Sequence, residues 1–175
     1  AIIAAATGLT VFLFDRFEES KMDENLQKFI KLDKYKTDYA KAEALHLRAL
    51  KIREKTLGQD NPITARSFHD IAVLYNDMGD YAKALALHQR ALSIREKVFG
   101  GDHPDVASTL NNLAVLYGVL NEFKKALSLA QRARVLSQDG NPLAWDALAA
   151  SYAALGNFDD AVTAIARGIQ AATAT

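Results

Sequence analysis

The sequence predicts an all-α fold in which helical hairpins stack side by side as a solenoid. Three observations lead to this prediction: a long internal repeat, apolar residues at helical spacing within each copy, and residues typical of helix starts and ends between the periodic stretches. Each copy of such a repeat is one unit whose apolar face is buried only by its neighbours. The fold class therefore follows from the repeat rather than from a single motif.

The repeat is clearest between Asp38–Tyr75 and Asp80–Tyr117, which lie 42 residues apart and are identical at 23 of 38 positions. A third copy starts at Phe123 in the same register, and a fourth starts at Phe158, 35 residues further on. Because the linker before the fourth copy is shorter, the array is irregular at its C-terminal end.

Each copy contains two predicted helices. Prolines mark the start of the first helix of a hairpin, because the missing N–H of Pro costs nothing in the first turn; they are Pro62, Pro104 and Pro142. Residues that tolerate the left-handed backbone conformation mark the end of that helix; they are Gly79, Asn121 and Gly156. The predicted helices are 21–36, 38–57, 62–78, 80–98, 104–120, 122–137, 142–155 and 157–172. We assign 38–175 to the repeat domain, with hairpins at 62–98, 104–137 and 142–172.

The first 14 residues, AIIAAATGLTVFLF, carry no charge. As a helix with a rise of ~1.5 Å per residue they would span about 21 Å, which is less than the roughly 30 Å hydrocarbon core of a bilayer. Three interpretations stay open: the end of a transmembrane helix whose beginning is missing, a helix buried in a partner protein, or a leftover targeting segment. We assign residues 1–20 to an apolar N-terminal helix and possible membrane anchor.

Residues 21–37 are the weakest element of the repeat. When they are shifted by 42 positions, Leu26, Phe29 and Leu32 fall on apolar positions of the next copy. The segment is therefore either a connection or a degenerate first repeat helix.

Composition excludes several classes of function. Half of the residues are hydrophobic, which is enough for a core, and 21 Lys and Arg balance 21 Asp and Glu, so no overall field attracts nucleic acid. The absence of Cys excludes a disulfide framework and a thiolate metal site. Because no phosphate-binding Gly motif, HExxH motif or Ser/His/Asp order occurs, we predict no catalytic residue, metal site, cofactor or small-molecule substrate.

Histidines and charge runs have structural interpretations. His46 and His88 occupy equivalent positions of two copies and are predicted to be packing residues, since no carboxylates accompany them as metal ligands. His103 precedes a proline and is predicted to cap the following helix. The runs 51–55 and 94–97 alternate in sign and lack interleaved aromatic residues. They are predicted to form a solvated convex face with local ion pairs.

The fourth copy has the spacing W-x2-L-A-x2-Y-x3-G-x-F-x2-A, which resembles the tetratricopeptide repeat (TPR). The residues that carry it are Trp145, Leu148, Ala149, Tyr152, Gly156, Phe158 and Ala161. Residues 91–117 also match ALxIREKxxGxDHPDVAxTLNNLAxLY, a pattern of the longer TPR subclass found in kinesin light chains. The resemblance covers about 38–172 and implies a right-handed α-solenoid that serves as a scaffold.

In TPR proteins the first helix of each hairpin lines a concave groove that receives a peptide or a partner helix. The resemblance implies that the groove residues of this chain are Arg66, His69, Asp70, Val73, Asn76 and Asp77, then Ser108, Asn111, Asn112, Val115, Gly118 and Val119, then Leu143, Asp146, Ala147, Ala150, Ala153 and Ala154. The set changes from charged to apolar along the chain, which favours a ligand with one polar and one apolar end.

Two specificities of the family fit this groove poorly. The clamp that holds the C-terminal carboxylate of chaperones uses Lys and Asn side chains, whereas Val73 and Val115 stand where an Asn would be expected. Kinesin light chains read tryptophan-acidic cargo peptides through a basic groove with Asn pairs. The pair Asn111 and Asn112 matches, but Arg66 is the single basic residue of the groove.

The last predicted helix, FDDAVTAIARGIQ, has a wide apolar stripe that contains Val162, Ile165 and Ile169. Solenoids normally end with a helix whose outer face is polar. We therefore predict that this C-terminal face packs on a partner or on a segment absent from the chain.

These observations predict a non-catalytic protein–protein interaction scaffold. By resemblance to single-span TPR proteins, it would be a membrane-tethered subunit or assembly factor of a photosynthetic or respiratory complex in the thylakoid or inner mitochondrial membrane. The alternatives are a soluble adaptor similar to kinesin light chains and a TPR regulator that docks a biosynthetic enzyme. The predicted partners are proteins, foremost a membrane protein complex, with membrane contact through residues 1–14 and no nucleic acid.

Overall fold

The structure is a computed structural model that describes residue 34, residues 36–138 and residues 140–173. The chain divides into two compact units, Ala1–Ala42 and Glu43–Thr175. The second unit contains the hairpins.

The predicted N-terminal helix at 1–20 lies outside the described residues, as does almost all of 21–37. Among the helices that are described, none combines the length and the apolar character needed to cross a bilayer. The proposed anchor therefore stays a prediction from the sequence.

Seven α-helices make up the regular structure of the described residues, and this part of the chain contains no strand. The helices are α1 (36–57), α2 (Pro62–Asp77), α3 (Tyr81–Phe99), α4 (Pro104–Val119), α5 (Phe123–Leu136), α6 (Pro142–Ala154) and α7 (Phe158–Thr173). The hairpins are α2 with α3, α4 with α5, and α6 with α7, and consecutive hairpins touch through α3 with α4 and α5 with α6. The prediction of an all-α solenoid is confirmed.

The first helix of each hairpin begins at a proline and is capped by the residue before it. The Asn61 side chain accepts a hydrogen bond from the N–H of Ile63 at 2.9 Å, and Asn141 caps α6 in the same way. His103 accepts through Nδ1 from the N–H of Asp105 at 3.1 Å, so its predicted role as a cap is confirmed. Each cap satisfies a backbone donor that has no partner within the helix.

The predicted left-handed positions end α2, α4 and α6. Gly79, Asn121 and Gly156 have φ angles of 78°, 62° and 82°. At Asn121 the same turn is made by a residue with a Cβ. The left-handed backbone therefore costs more conformational free energy there than it would for a glycine. The three turns give the hairpins the same connection.

Small residues let the paired helices approach each other. Alanines are buried on the second helix of every hairpin: Ala84 and Ala91 in α3, Ala126, Ala130 and Ala133 in α5, and Ala161 and Ala164 in α7. The largest fully buried side chains include Ile71 of α2 and Leu110, Leu113 and Leu116 of α4. The core of the described residues therefore consists of three clusters, each of which joins side chains from several consecutive helices.

The charged runs do not lie entirely on a solvated face, so that prediction is wrong in part. Arg95 is buried beside α4, where its guanidinium donates to the backbone oxygen of Asp105 at 3.1 Å and to Oγ1 of Thr109. Arg53, one repeat earlier, donates to Oγ of Ser67. A buried guanidinium is tolerated because its donors have partners.

The ion pairs of these runs join residues that are far apart in the chain rather than neighbouring residues. Glu96 of α3 pairs with Arg132 of α5 at 2.6 Å. Lys97 pairs with Asp60, which lies in the loop before α2. Because solvent reaches both pairs, screening makes them weak contributors to stability.

Candidate partner-binding groove

All of the predicted groove residues lie on α2, α4 and α6, the first helices of the hairpins. The structure exposes Arg66, Val73, Asp77, Ser108, Val115, Val119, Leu143, Asp146, Ala150, Ala153 and Ala154. It half-buries His69, Asp70, Asn76, Asn112 and Gly118, and it buries Asn111 and Ala147. The predicted residues thus share the first helices of their hairpins, and burial within the set varies.

Eight of the predicted residues from α4 and α6 line one cavity of about 420 Å³. Its apolar lining is Ala114, Val115, Gly118, Val119, Phe123, Leu143, Ala147 and Ala150. Its polar lining is Asn111, Asp146 and Ser151. An apolar cavity of this size with a few polar groups is typical of a site that binds a ligand.

The cavity exists because the residues around it are small. Gly118 stands on α4 where the preceding hairpin has Asn76, and on the opposite wall α6 contributes Ala147 and Ala150. Larger side chains at these positions would fill the space between the two helices. The repeat therefore keeps the helices in place while the local residues open a cavity at one junction.

Asn111 is the unusual polar group of this lining. The residue is only 5% exposed, and its Oδ1 atom has no hydrogen-bond partner within the described residues. A buried acceptor without a partner costs about 1–3 kcal/mol. A donor on a bound ligand would remove that cost once the Asn111 side chain turned, since Oδ1 itself has almost no accessible surface in this structure.

The other two polar residues of the lining differ from Asn111. Ser151 donates through Oγ to the backbone oxygen of Ala147 at 2.7 Å, so its hydroxyl hydrogen is already used. Asp146 is exposed, and it is the one charged residue of the lining. Asp146 therefore puts a negative charge beside an otherwise apolar cavity.

The position occupied by Asn111 differs in each hairpin. Its repeat equivalents are His69 in α2 and Asp146 in α6. The Nε2 atom of His69 lies 3.4 Å from Nδ2 of Asn112, and the His69 ring makes a T-shaped contact with His88 at a centroid distance of 5.1 Å. His69 thus contacts α3 and α4 instead of projecting freely into the groove.

Burial makes this histidine pair neutral at pH 7. It lowers the pKa of His88 to about 4, and it also lowers the pKa of His69. His88 is buried, which fits its predicted packing role, whereas its equivalent His46 is only half-buried. The α2 end of the groove therefore carries neutral imidazole beside the charged residues Arg66 and Asp70.

Sequence reasoning missed three residues of the cavity, namely Ala114, Phe123 and Ser151. Phe123 begins α5 and reaches the cavity from the end of the helix pair, which no spacing rule for α4 or α6 indicates. Conversely, the α2 residues do not line the cavity, and neither do Ser108, Asn112, Ala153 and Ala154. The groove set thus divides into an apolar cavity between α4 and α6 and a polar surface on α2.

The lining of the cavity offers groups for noncovalent contacts. Where side chains are described, no three His, Asp or Glu residues lie close enough to hold a metal ion together. The lining offers apolar walls, one amide oxygen and one carboxylate. Such groups suit an apolar side chain of a protein segment that also carries a donor.

The predicted C-terminal face lies on α7. Ala161, Ala164 and Gly168 of this helix are buried, whereas Val162 and Ile169 are exposed. Ile165 is also exposed. The apolar stripe therefore faces solvent on one side of the helix.

Comparison with known proteins agrees with this architecture. The family model for the tetratricopeptide repeat matches residues 34–96 and 69–138, which together are more than half of the chain. No curated protein matches the chain in sequence.

Several solved structures have a similar fold. BtubC (BKLC) from P. vanneervenii has a TM-score of 0.72 and 23% identity, and the match covers 78% of this chain and 57% of that chain. A candidate kinesin light chain from Podosopora anserina with nearly identical TPR-like repeats has a TM-score of 0.66 and 22% identity. This match covers 78% of this chain and 68% of that chain. MamA from Desulfovibrio magneticus RS-1 has a TM-score of 0.57 and 14% identity, and the match covers 76% of this chain and 73% of that chain.

The match thus spans little more than half the length of BtubC. At identities this low the likeness concerns the fold alone. The predicted resemblance of this chain to TPR proteins of the kinesin-light-chain type is nevertheless confirmed. The family model matches, and such proteins are among the structural neighbours. On the evidence of its repeat, its hairpins and the family match, the chain belongs to the tetratricopeptide repeat family.

Proposed function

We propose that this chain is a non-catalytic interaction module that binds a segment of another protein in the groove on α2, α4 and α6. The observation that carries the proposal is the apolar cavity between α4 and α6, whose lining includes Asn111, a buried residue with an unpaired Oδ1. TPR membership supports it, because the helices that form the cavity are those that line the groove in this family.

The cavity sets the chemistry of the bound segment. An apolar side chain fits the walls formed by Val115, Val119 and Leu143, and its burial gains about 25 cal/mol per Å² of apolar surface. A backbone N–H next to that side chain is the donor that every peptide offers to Asn111. We therefore expect an apolar anchor held by one backbone hydrogen bond.

Filling the cavity tests the proposal. Ala150→Trp places a large side chain on an exposed position of the lining, and Ala166→Trp is the matched control on an exposed position of α7. We expect the first variant to lose partner binding and the second to keep it, with both retaining the helical content of the wild type. Equal binding by both variants would contradict the proposal.

Site-specific photocrosslinking identifies the partner and the surface together. A photoreactive residue at Val119 reports on the groove, and one at Val135, which is 60% exposed on α5, reports on another face. We expect adducts from Val119 that the Ala150→Trp substitution abolishes. Adducts formed only from Val135 would show that the binding surface lies elsewhere.

A membrane tether is the finer part of the proposal. Its support is the uncharged stretch 1–14 in the sequence. With this anchor, the module would be a subunit or assembly factor of a membrane complex in the thylakoid or inner mitochondrial membrane. Alkaline carbonate extraction tests the tether, because a protein with a spanning helix stays with the membrane and a peripheral one is released.

Release by carbonate would favour the two soluble alternatives. One is an adaptor similar to kinesin light chains, and the other is a regulator that docks a biosynthetic enzyme. The identity of the crosslinked partner separates them, since a cargo protein supports the first and an enzyme supports the second.

A further inference from the structure

Helix α7 exposes four large apolar side chains in one stripe. They are Phe158, Val162, Ile165 and Ile169, with exposed fractions between 50% and 68%. The spacing of 4, 3 and 4 residues is that of the contact positions in paired helices. The opposite face of α7, with Ala161 and Gly168, is buried in its own hairpin.

The equivalent stripe on α5 is covered by the next hairpin. Ala130, which corresponds to Ile165, is fully buried in a cluster with Ala147 and Leu148 of α6. Arg134, which corresponds to Ile169, lies over the ring of Trp145 at 5.2 Å.

The stripe on α3 is also covered. Leu92, which again corresponds to Ile169, packs against a cluster that contains Val106 and Leu110 of α4. This face of a second helix is therefore the established interface between hairpins, and none of the described residues covers the same face of α7.

The residues on α7 suit burial better than those on the covered helices. Ile165 stands where the earlier copies have His88 and Ala130, and Ile169 stands where α5 has Arg134. A helix that ends an array in water would carry polar residues at these positions. The exposed face is thus more apolar than the equivalent face of a helix whose interface is buried.

We propose that this stripe packs against the same stripe of a second copy of the chain, with the two α7 helices antiparallel. The spacing of 4, 3 and 4 reads the same in both directions. A twofold axis at the middle of the stripe therefore places Phe158 opposite Ile169 of the other copy, and Val162 opposite Ile165. Such an interface is closed, so it yields a dimer and not a filament.

Charge selects the antiparallel orientation. The first turn of α7 carries Asp159 and Asp160, whereas the rest of the helix carries Arg167 and no acidic residue. A parallel pair would bring two acidic turns together, while an antiparallel pair sets each acidic turn beside the end that carries Arg167 and also opposes the helix dipoles. The chain has a net charge of zero, so no overall repulsion separates the copies.

The size of the stripe predicts a weak dimer. Interfaces of stable complexes bury at least roughly 1,200 Å² of surface in total. An interface of four side chains per copy lies at or below that limit. We therefore expect a dissociation constant on the order of 10 μM, and association that depends on concentration in that range.

Disulfide trapping tests the arrangement directly, because the chain has no natural Cys. Phe158→Cys and Ile169→Cys variants of the full chain are oxidised separately and as a mixture. In the antiparallel dimer, identical positions are about 16 Å apart along the helix, which is too far for a disulfide, whereas positions 158 and 169 meet. We expect at least about fivefold more crosslinked dimer in the mixture than in either variant alone.

The trapping result has a control and a contrary outcome. Val135→Cys, exposed on α5, should crosslink no more than the background. Crosslinking of each variant alone to the same extent as the mixture would overturn the antiparallel pairing, and no crosslinking above the Val135→Cys level would overturn the interface.

Sedimentation velocity of the full chain between about 1 and 200 μM gives a second test, since that range brackets the expected constant. The mean mass should rise towards that of a dimer for the wild type and for Val135→Asp, and it should stay that of one chain for Ile165→Asp. Association that survives Ile165→Asp, for example through residues 1–14, or a wild type that stays monomeric throughout, would overturn the proposal. The result is independent of partner binding, because the stripe residues do not line the groove cavity.

Discussion

Arg95 of α3 donates a hydrogen bond to Oγ1 of Thr109 in α4, and this bond joins two consecutive hairpins. Arg53 and Ser67 make the equivalent bond 42 residues earlier. In each case a long cationic side chain crosses from the second helix of one unit to a hydroxyl on the first helix of the next. The repeat therefore copies the junction between units as well as the units themselves.

We expect Arg95→Ala to lower the free energy of unfolding by about 3 kcal/mol. The substitution removes buried packing and leaves the backbone oxygen of Asp105 without this donor. Urea denaturation followed by circular dichroism measures the change. Arg48→Ala, at an exposed position of α1, is the control and should change the free energy by less than about 0.5 kcal/mol. Similar small losses in both variants would show that the junction bond contributes little.

The stability of the protein should fall between about pH 6.5 and pH 4. Burial lowers the pKa of His88 to about 4, whereas an unfolded His has a pKa of about 6.5. Across this window the unfolded chain binds more protons than the folded chain. The stability linked to neutral His88 is therefore fully present above about pH 6.5 and is lost as the pH falls. At pH 4 this loss in the free energy of unfolding reaches about 3 kcal/mol.

Denaturation curves at several pH values measure this dependence. His88→Leu should flatten it between about pH 6.5 and pH 4.5, where ordinary carboxylates are still mostly ionised. His46→Leu, at the equivalent position of α1, should leave the dependence in place because His88 is unchanged. An unaltered slope in His88→Leu would rule out this histidine as the source.

The helix-ending turns should respond in opposite directions to two substitutions. Gly156→Ala puts a Cβ on a residue with φ of 82° and should cost about 1 kcal/mol, although no atom lies within 4 Å of the added carbon. Asn121→Gly relieves a residue that already has φ of 62° and should be neutral or stabilising by up to about 0.5 kcal/mol. Thermal unfolding measures both. Destabilisation by Asn121→Gly would indicate that the Asn side chain contributes more than its backbone conformation costs.

Asp146 should make the groove prefer a basic residue next to the apolar anchor. A peptide array with Leu fixed and Lys or Glu beside it tests this preference. An exposed ion pair is worth about 0.5–1 kcal/mol, so we expect roughly threefold stronger binding of the Lys peptides, and the reverse preference in Asp146→Lys. Asp159→Lys, outside the cavity, should behave as the wild type. Equal binding of the Lys and Glu peptides by the wild type would show that Asp146 does not determine specificity. The proposal that the cavity binds an apolar anchor would be unaffected.

Much of the fold was predictable because it depends on local signals. The Pro residues after Asn61, His103 and Asn141 begin helices, and the positions that end them at Asn121 and Gly156 have the expected left-handed backbone. These features depend on residues within one turn of each other, so a sequence shows them directly. The helices of the groove were predictable for the same reason, since the repeat assigns each residue to a first or second helix.

The details of the site were less predictable because they depend on residues from other hairpins. Arg95 lies in an alternating run of charges that favours a solvated face, yet α4 covers it. His69, Asn111 and Asp146 are equivalent in the repeat, but one packs on His88, one is buried with an unpaired oxygen and one is exposed. The three residues occupy the same position in the repeat, but the residues that surround them differ.

The sequence by itself determined that the chain is a series of helical hairpins of the TPR family, because identical spacing in each copy specifies the same local structure. The sequence also showed the apolar stripe around Ile165. Only the tertiary structure decided where the series leaves space, because the cavity beside Asn111 depends on the side chains that α4 and α6 both contribute. Periodicity gives the face on which a residue lies, whereas burial depends on the volume and polarity of the residues packed against that face.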